Sequence, residues 1–194
     1  MGRTATFDRA SVVRAARDVF WDRGWAETGV AELEAATGLM RSSLYHAFGS
    51  KKGVFEAVVA EYLDDVVRTR LTPLRAPDAA PSALADYLAE MRAALLSGSA
   101  RSRSGCLLLN AACAPVVDDD PDVRGLVNAY TAELRVGVAA GVARARADLG
   151  PEASAALAEV VSSLVIAALA LARTDPDAAI RSLDAADSAA RSWS

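Results

Sequence analysis

Apolar residues recur at helical spacing along almost the whole chain. Asp8 can cap a first helix, which carries apolar residues on one face until Gly24 ends it. The same 3.6-residue period predicts longer helices over about 51–70, 82–96, 120–148, 152–173 and 176–190. No segment keeps the apolar-polar alternation of a strand. The pattern therefore predicts an all-α protein with about nine helices.

Residues 28–55 predict short helices separated by tight turns. Thr28 can cap a helix whose inner face holds Val30 and Leu33, and Gly38 can end it with positive φ. The next helix begins near Arg41. This arrangement is typical of a helix-turn-helix DNA-binding motif.

The second helix of this motif has an apolar and a polar face. Leu44 and Phe48 lie four residues apart and are expected to face inward. The opposite face is the one that a recognition helix presents to the major groove of DNA. It carries Arg41, Ser42, Tyr45 and His46.

The run Ser-Leu-Tyr-His-Ala-Phe-Gly-Ser-Lys-Lys, residues 43–52, follows Phe20-Trp-Asp-Arg-Gly-Trp25 and Thr28. These segments closely resemble the DNA-binding signature of the TetR family of bacterial one-component repressors, over about residues 8–60. Two positions depart from it. Met40 replaces a common Ser or Thr cap, which costs about 1 kcal/mol if nothing substitutes, and Ala47 replaces an aromatic residue. Gly-Cys-Leu at 105–107 resembles the start of the sixth helix in one branch of these regulators.

Lys51 and Lys52 are the only lysines of the chain. They fall in the first turn of a helix capped by Ser50, where the helix dipole disfavours cations. A DNA phosphate would favour them there, although solvated surface charge is the alternative. The resemblance assigns Tyr45 to a phosphate, with an aromatic at the edge of the core as its alternative. We expect phosphate contacts from Thr28, Tyr45, Lys51 and Lys52, and base contacts from Arg41, Ser42, Ser43 and His46.

Charge is distributed unevenly along the 194 residues, of which 53% are hydrophobic. The net charge is −4, yet residues 1–53 carry eight Lys/Arg against six Asp/Glu, or +2, and residues 54–194 carry thirteen against nineteen, or −6. This charge asymmetry favours two functional regions, a basic one that faces DNA and an acidic body. We predict a helix-turn-helix DNA-binding domain at 1–52 and a ligand-binding and dimerisation domain at 53–194.

The two cysteines cannot form a disulfide framework, and the N-terminus has no apolar leader. We therefore expect a cytoplasmic protein with reduced thiols. In a helix, Cys106 and Cys113 would lie about 10.5 Å apart along the axis, beyond the reach of one disulfide. Buried structural cysteines are expected, and a thiol-based redox sensor remains the alternative.

No pattern indicates catalysis. The single histidine, His46, lies on the proposed recognition helix, and no phosphate loop, paired CxxC or HExxH cluster is present. The acidic run 118–122 surrounds Pro121, which is typical of an ordinary helix start. We expect no catalytic residue, metal ion or cofactor.

The segment 160–172 is apolar on nearly every side. Its thirteen residues, with two serines, are too short to span a bilayer, so a partner subunit is the expected cover. The last helix adds a stripe of mostly small residues. These two C-terminal helices from two subunits would form a four-helix homodimer interface, as in the TetR family. The stripe consists of Ala179, Ile180, Leu183, Ala186 and Ala190.

Candidate ligand-lining residues are apolar or amphipathic groups of the helices that would enclose the body, and each could equally be core. The absence of charge among them favours an uncharged or hydrophobic ligand, while the acidic body leaves a cationic one open. The proline-rich loop 73–81 is a candidate hinge, and 97–105 a mobile polar loop. The candidate residues are Tyr62, Tyr87, Met91, Leu95, Cys106, Asn110, Tyr130 and Leu164.

Together these features predict a homodimeric transcriptional regulator of the TetR type. We expect a repressor that binds a palindromic double-stranded operator and is released by a small hydrophobic or amphipathic molecule. The alternatives are a hydrophobic-ligand carrier, a small α-helical enzyme that retains a helix-turn-helix, or an architectural DNA binder without ligand control.

Overall fold

A computed structural model describes residues 7–112, 114 and 120–193; Cys113 lies outside them. Every regular element in these ranges is helical, so the all-α fold class is confirmed. The helices are α1 (Arg9–Glu27), α2 (Val30–Thr37), α3 (Arg41–Phe48), α4 (Lys51–Tyr62), a π-helical segment (Leu63–Arg68), α5 (Thr69–Arg75), α6 (Ala83–Leu96), α7 (Ala100–Arg103), α8 (Leu107–Ala112), α9 (Pro121–Ala145), α10 (Pro151–Leu171) and α11 (Pro176–Ser192).

Side-chain caps fix most of the predicted helix starts. Asp8 accepts from the backbone N–H groups of Ala10 and Ser11, and Ser50 accepts from Gly53. Asp120 and Asp175 cap α9 and α11 in the same way. Because the first four N–H groups of a helix have no partner within it, these caps define where each helix begins.

Two predicted loops are shorter than expected. Pro73 lies inside α5, so the helical rod from Lys51 continues to Arg75 and the loop begins at Ala76. Leu71 and Leu74 on either side of this proline are buried, and their packing extends the helix past it. The polar loop 97–105 contains the helical turn α7, where Ser99 accepts from the Ser102 N–H at 3.2 Å.

The helices form two packed groups that share α4. In the first group α1 packs on α2 and α4, and α3 packs on α2 and α4. In the second, α9 packs on α5, α6, α8 and α10, while α11 packs on α6 and α10. The π-helical segment and α5 continue the α4 rod into this second group. Any movement of the rod therefore changes both groups.

Helix α10 has the length and composition of a membrane-crossing helix, with 21 residues and a mean hydropathy of 2.1. Its bounds are close to the predicted 152–173, and the apolar segment 160–172 occupies its C-terminal half. Only 33% of its most apolar window is buried inside the subunit. One face, including Leu157 and Val161, is fully buried, whereas Val160 on another face is 36% exposed.

The small-residue stripe of α11 is not an exposed surface. Ala179, Leu183, Ala186 and Ala190 are buried within the subunit, where α11 packs on α10 and α6. Only Ile180 is half-buried. The small residues thus allow close packing within the chain, and dimerisation through the two C-terminal helices stays a prediction for their other faces.

Candidate functional site

Aromatic stacking holds the N-terminal helices together. The Phe55 ring of α4 meets Phe20 and Trp25 of α1 edge to face, at centroid distances of 5.1 and 5.0 Å. Beside them, both carboxylate oxygens of Glu61 accept from the buried Arg17 guanidinium at 2.9 Å. These contacts hold α4 against α1.

Helix α3 is anchored by the two apolar residues expected from its pattern. Leu44 is fully buried and Phe48 is 9% exposed. Met40 gives α3 no side-chain cap, but the carboxylate of Glu34 accepts from the Arg41 N–H and replaces it. A Cβ on Gly53 would lie 1.8 Å from the Phe48 carbonyl oxygen, so only glycine permits this approach of α4 to α3.

The opposite face of α3 is open to solvent. Arg41, Ser42, Ser43 and His46 are exposed, and Tyr45 is half-buried beside them. The Arg41 guanidinium carbon lies 5.3 Å from the centre of the Tyr45 ring. Hydrogen-bond donors and acceptors therefore project from a helix whose position is fixed by its own buried face.

The two lysines of α4 already have partners. The Lys51 ammonium donates to the Trp25 carbonyl oxygen at 2.7 Å and lies 4.5 Å from the Trp25 ring centre. Burial lowers the pKa of Lys51, opposed by the charge of Glu32. Lys52 donates to Asp122 at 2.6 Å and to Asp120 at 3.0 Å, and these hydrogen bonds raise its pKa. These partners within the chain explain why two cations are tolerated in the first turn of α4, and no phosphate is needed to explain them.

A cavity of about 300 Å³ lies between α1, the rod, α6, α9 and α10. This volume is at the lower end of the range for small-molecule sites, roughly 300–1,000 Å³. Its walls are largely apolar, with a few phenol, hydroxyl and guanidinium groups. The lining residues are Trp21, Tyr62, Val66, Val67, Arg70, Leu71, Tyr87, Met91, Ala94, Leu95, Ser99, Ser102, Gly105, Tyr130, Leu134, Ala168, Leu169 and Ala172.

Three buried tyrosines contribute polar hydroxyl groups to the cavity. The Tyr62 hydroxyl donates to the Cys106 sulfur at 3.5 Å, and the Tyr62 ring meets Trp21 edge to face at 5.0 Å. The Trp21 indole N–H donates to the Gly105 carbonyl at 2.8 Å. Burial raises the pKa of Tyr62, Tyr87 and Tyr130 well above the ordinary phenol value. These phenols are therefore neutral hydrogen-bonding groups at neutral pH.

Residues 12–58 match the family model of bacterial regulatory proteins, tetR family. The HTH-type transcriptional repressor ComR of Escherichia coli is 32% identical over 123 residues, 63% of this chain and 57% of ComR. The regulator YezE of Bacillus subtilis is 29% identical over 75% of this chain and 74% of its own length. Thus the match spans little more than half of the first of these relatives.

Solved structures extend the similarity over the full length. A cysteine-substituted variant of the TetR family transcriptional regulator CifR, complexed with 26-base-pair operator DNA, has a TM-score of 0.80 and 30% identity, covering 99% of this chain and 100% of that one. The chain belongs to the TetR family. It is a helix-turn-helix transcriptional regulator, as predicted from its sequence.

In this TetR-family chain, α3 is the second helix of the helix-turn-helix, and the four predicted base-contacting residues lie exposed on it. Thr28 differs. It is fully buried, and its hydroxyl donates to the Gly24 carbonyl at 2.6 Å. In the DNA-free chain Thr28 closes the turn after Gly24, and its phosphate contact stays a prediction. Gly29, rather than Thr28, caps α2.

The TetR-family body brings five of the eight candidate ligand residues to the cavity wall. Cys106 is fully buried and accepts from the Tyr62 hydroxyl, the Asn110 amide donates to the Ser104 carbonyl at 2.7 Å, and Leu164 is half-buried against the core. These three residues do not line this cavity. The five lining residues are Tyr62, Tyr87, Met91, Leu95 and Tyr130.

Sequence reasoning missed the lining residues beyond Tyr62 on the same rod. Val66 and Arg70 follow Tyr62 at intervals of four, the spacing of one helix face. That signal was present in the sequence. Trp21 had no such signal, since its exposure to the cavity depends on how α1 crosses the second group of helices.

Proposed function

We propose that this regulator is a cytoplasmic, non-catalytic repressor that binds a palindromic DNA operator as a homodimer. The observation that carries the proposal is the exposed polar face of α3, held on the buried Leu44 and Phe48. The CifR relative, 30% identical, is complexed with double-strand operator DNA. Two such helices related by a two-fold axis would enter successive major grooves, roughly 34–36 Å apart.

We assign recognition of the operator base sequence to the exposed side chains of α3. Arg41 can form two hydrogen bonds to guanine, while the hydroxyls of Ser42 and Ser43 and the imidazole of His46 can serve several bases. Phosphate contacts are assigned to Tyr45, Lys51 and Lys52. For the lysines, this role requires phosphate to replace the partners seen in the DNA-free chain, which are Trp25 for Lys51 and two aspartates for Lys52.

Homodimerisation is assigned to the two C-terminal helices, chiefly to the uncovered face of α10. Val160 is exposed and Leu164 is half-buried on this highly apolar helix. Leaving such a face in water is unfavourable, at roughly 25 cal/mol per Å² of apolar surface. A second copy of α10 supplies an apolar surface of the same shape, as a two-fold interface requires.

The division into a DNA-binding domain at 1–52 and a ligand-binding and dimerisation domain at 53–194 places its boundary inside α4. Phe55 packs on Phe20 and Trp25, so the core of the first domain includes the α4 residues beyond 52. We assign α4 to both domains. Its π-helical continuation supplies Val66 and Val67 to the cavity wall, which connects ligand and DNA sites through one rod.

Ligand control follows from this connection. A ligand that fits the cavity only when the rod is displaced would tilt α3 in each subunit and misplace the two recognition helices. A ~100-fold preference for the displaced state corresponds to about 2.7 kcal/mol of coupling. Such coupling would release the repressor from its operator when the repressor concentration is close to the dissociation constant.

Selection of bound sites from random DNA fragments tests the proposal. We expect an inverted repeat, affinity that falls steeply with salt, and a preference over bulk DNA of ~10³ or more. A hydrophobic-ligand carrier would enrich no sequence, and an architectural binder would bind DNA without preference. Met91→Trp, which fills the cavity, should preserve operator binding and abolish ligand-induced release.

A further inference from the structure

The cavity wall contains a single charged side chain among the described residues, Arg70. No carboxylate of the described chain forms an ion pair with it. The neighbouring acidic groups are bound elsewhere: Glu133 and Asp64 pair with Arg68, and Glu61 pairs with Arg17. Arg70 thus presents an uncompensated positive charge to an otherwise neutral cavity.

Tyr87 supplies a second polar group, which has no hydrogen-bond partner in the described part of the chain. The residue is only 7% exposed, yet it lines the cavity. Within the described residues its hydroxyl makes no hydrogen bond, whereas the Tyr62 hydroxyl donates to Cys106. Burial raises the pKa of Tyr87 and the nearby positive charge of Arg70 opposes this effect. Arg70 and Tyr87 line the same cavity, where one bound anion can meet both groups.

We propose that the cavity binds an amphipathic carboxylate, with its anionic end between the Arg70 guanidinium and the Tyr87 hydroxyl. This inference rests on the proposed ligand-controlled function and names the chemical class of the effector. Both groups donate hydrogen bonds, and charge-assisted bonds to a carboxylate are roughly twice as strong as neutral ones.

The apolar part of the ligand fits the rest of the cavity wall. Arg70 is an exposed residue, so the carboxylate binds at the solvent side of the cavity. Val67, Leu71, Met91 and Leu134 surround the interior with aliphatic and thioether groups. Burial of an alkyl or aryl tail against these residues contributes binding free energy, while the carboxylate sets the orientation.

Neutral and cationic ligands fit this wall less well. A cation would meet the Arg70 charge with no acidic lining side chain to compensate it. An alcohol could bond to Tyr87 but would leave the guanidinium without an anionic partner. The expectation of an uncharged ligand depended on a set of lining residues that did not contain Arg70, and we replace it with an anionic amphiphile.

Isothermal titration calorimetry with matched probes tests this assignment. The probes are 4-phenylbutyrate and decanoate, each with the alcohol and the primary amine of the same carbon skeleton. We expect the wild-type protein to bind at least one acid ten-fold or more tightly than its alcohol, and to bind the amine most weakly. If neither acid is preferred over its alcohol, or no acid binds at millimolar concentration, the proposal is wrong.

Arg70→Gln should reduce the acid-to-alcohol preference to within three-fold. Arg75→Gln is the matched control, because Arg75 lies on the same helix and pairs at 3.8 Å with Glu133 instead of lining the cavity. If both variants keep the wild-type preference, Arg70 does not bind the ligand and the proposal fails. Tyr87→Phe provides a second variant and should weaken acid binding several-fold if Arg70→Gln does not fold.

DNA binding separates this inference from the proposed function. Arg70 and Tyr87 lie far from the exposed face of α3, so both variants should bind operator DNA without ligand as the wild type does. Acid binding without any operator binding would contradict the repressor function and leave the ligand class standing. Operator binding with no acid preference would contradict the ligand class alone.

Discussion

Lys52 and Asp122, seventy residues apart in sequence, join the N-terminal ends of α4 and α9 through a contact of 2.6 Å. Asp120, the cap of α9, accepts from the same ammonium at 3.0 Å. Because α9 also supplies Tyr130 and Leu134 to the cavity wall, this ion pair links a proposed phosphate-binding lysine to a ligand-lining helix.

Asp122→Asn should strengthen DNA binding at low salt, since Asp122 competes with phosphate for Lys52. Asp122 is 70% exposed, so its removal should leave the fold intact. We expect affinity to rise several-fold, because the wild type must break this ion pair before Lys52 can bind a phosphate. Fluorescence anisotropy over a salt series measures it.

Two controls isolate the Lys52 contact. Asp184→Asn removes the same charge from a distant pair with Arg92 and should leave the affinity unchanged. In a Lys52→Ala background, Asp122→Asn should have no further effect. An equal gain in affinity in that background would show that Asp122 acts by general repulsion of DNA.

Arg41→Ala should relax sequence choice. We expect a loss of about 1–3 kcal/mol on the selected operator and a much smaller loss on random DNA, because a base contact is read only at its own site. Competition binding with operators changed at single positions measures both. The same loss on every sequence would instead place Arg41 on a phosphate.

Gly53→Ala should destabilise the DNA-binding domain by about 1–3 kcal/mol, because the new Cβ would collide with the Phe48 carbonyl at 1.8 Å and push α3 outward. The matched control is Gly125→Ala in α9, where no atom lies within 4 Å. There alanine should stabilise the helix by about 0.5–1 kcal/mol. Denaturant unfolding compares them, and similar changes in both variants would contradict the close approach at Gly53.

Val160→Glu should separate the subunits, since a dimer would bury its carboxylate without a partner. Val136→Glu makes the same substitution on α9, where Val136 is 56% exposed, and should leave the assembly unchanged. Sedimentation velocity at micromolar concentration measures the outcome. A dimeric Val160→Glu protein would place the interface elsewhere.

Alkaline pH should destabilise the fold through its buried tyrosines. Burial raises the pKa of Tyr62, Tyr87 and Tyr130, so the folded state holds their protons longer than the unfolded state, whose phenols ionise near pH 10. Their contribution is therefore fully present below pH 10 and decreases above it. Urea unfolding at pH 8–11 checks this, and Tyr130→Phe should weaken the decrease. Equal pH dependence in both proteins would contradict it.

The sequence predicted most helix starts because local chemistry sets them. Asp8, Ser50 and Asp120 each cap the helix that follows, and Gly38 ends α2 with a φ of +69°. The loop predicted at Pro73 was wrong, because the burial of Leu71 and Leu74 stabilises the helix more than the proline destabilises it. Rules based on neighbouring residues fail where packing between distant parts of the chain determines the helix boundary.

The candidate site was predictable only in part for the same reason. The exposed face of α3 follows from the spacing of Leu44 and Phe48, a local relationship. The partners of Lys52 lie in another helix far along the chain, and no periodic pattern relates them. The cavity wall likewise depends on how five parts of the fold cross in space.

Trp21 is an intrinsic fluorescent probe of the cavity. Its indole lines the cavity, meets the Tyr62 ring at 5.0 Å and bonds to Gly105, while its backbone belongs to the helix that carries the DNA-binding core. With Trp25 and Trp193 replaced by phenylalanine, the emission of this single fluorophore would register cavity occupancy and the displacement of α1 together. Stopped-flow traces could then show whether effector entry precedes or follows the change of shape.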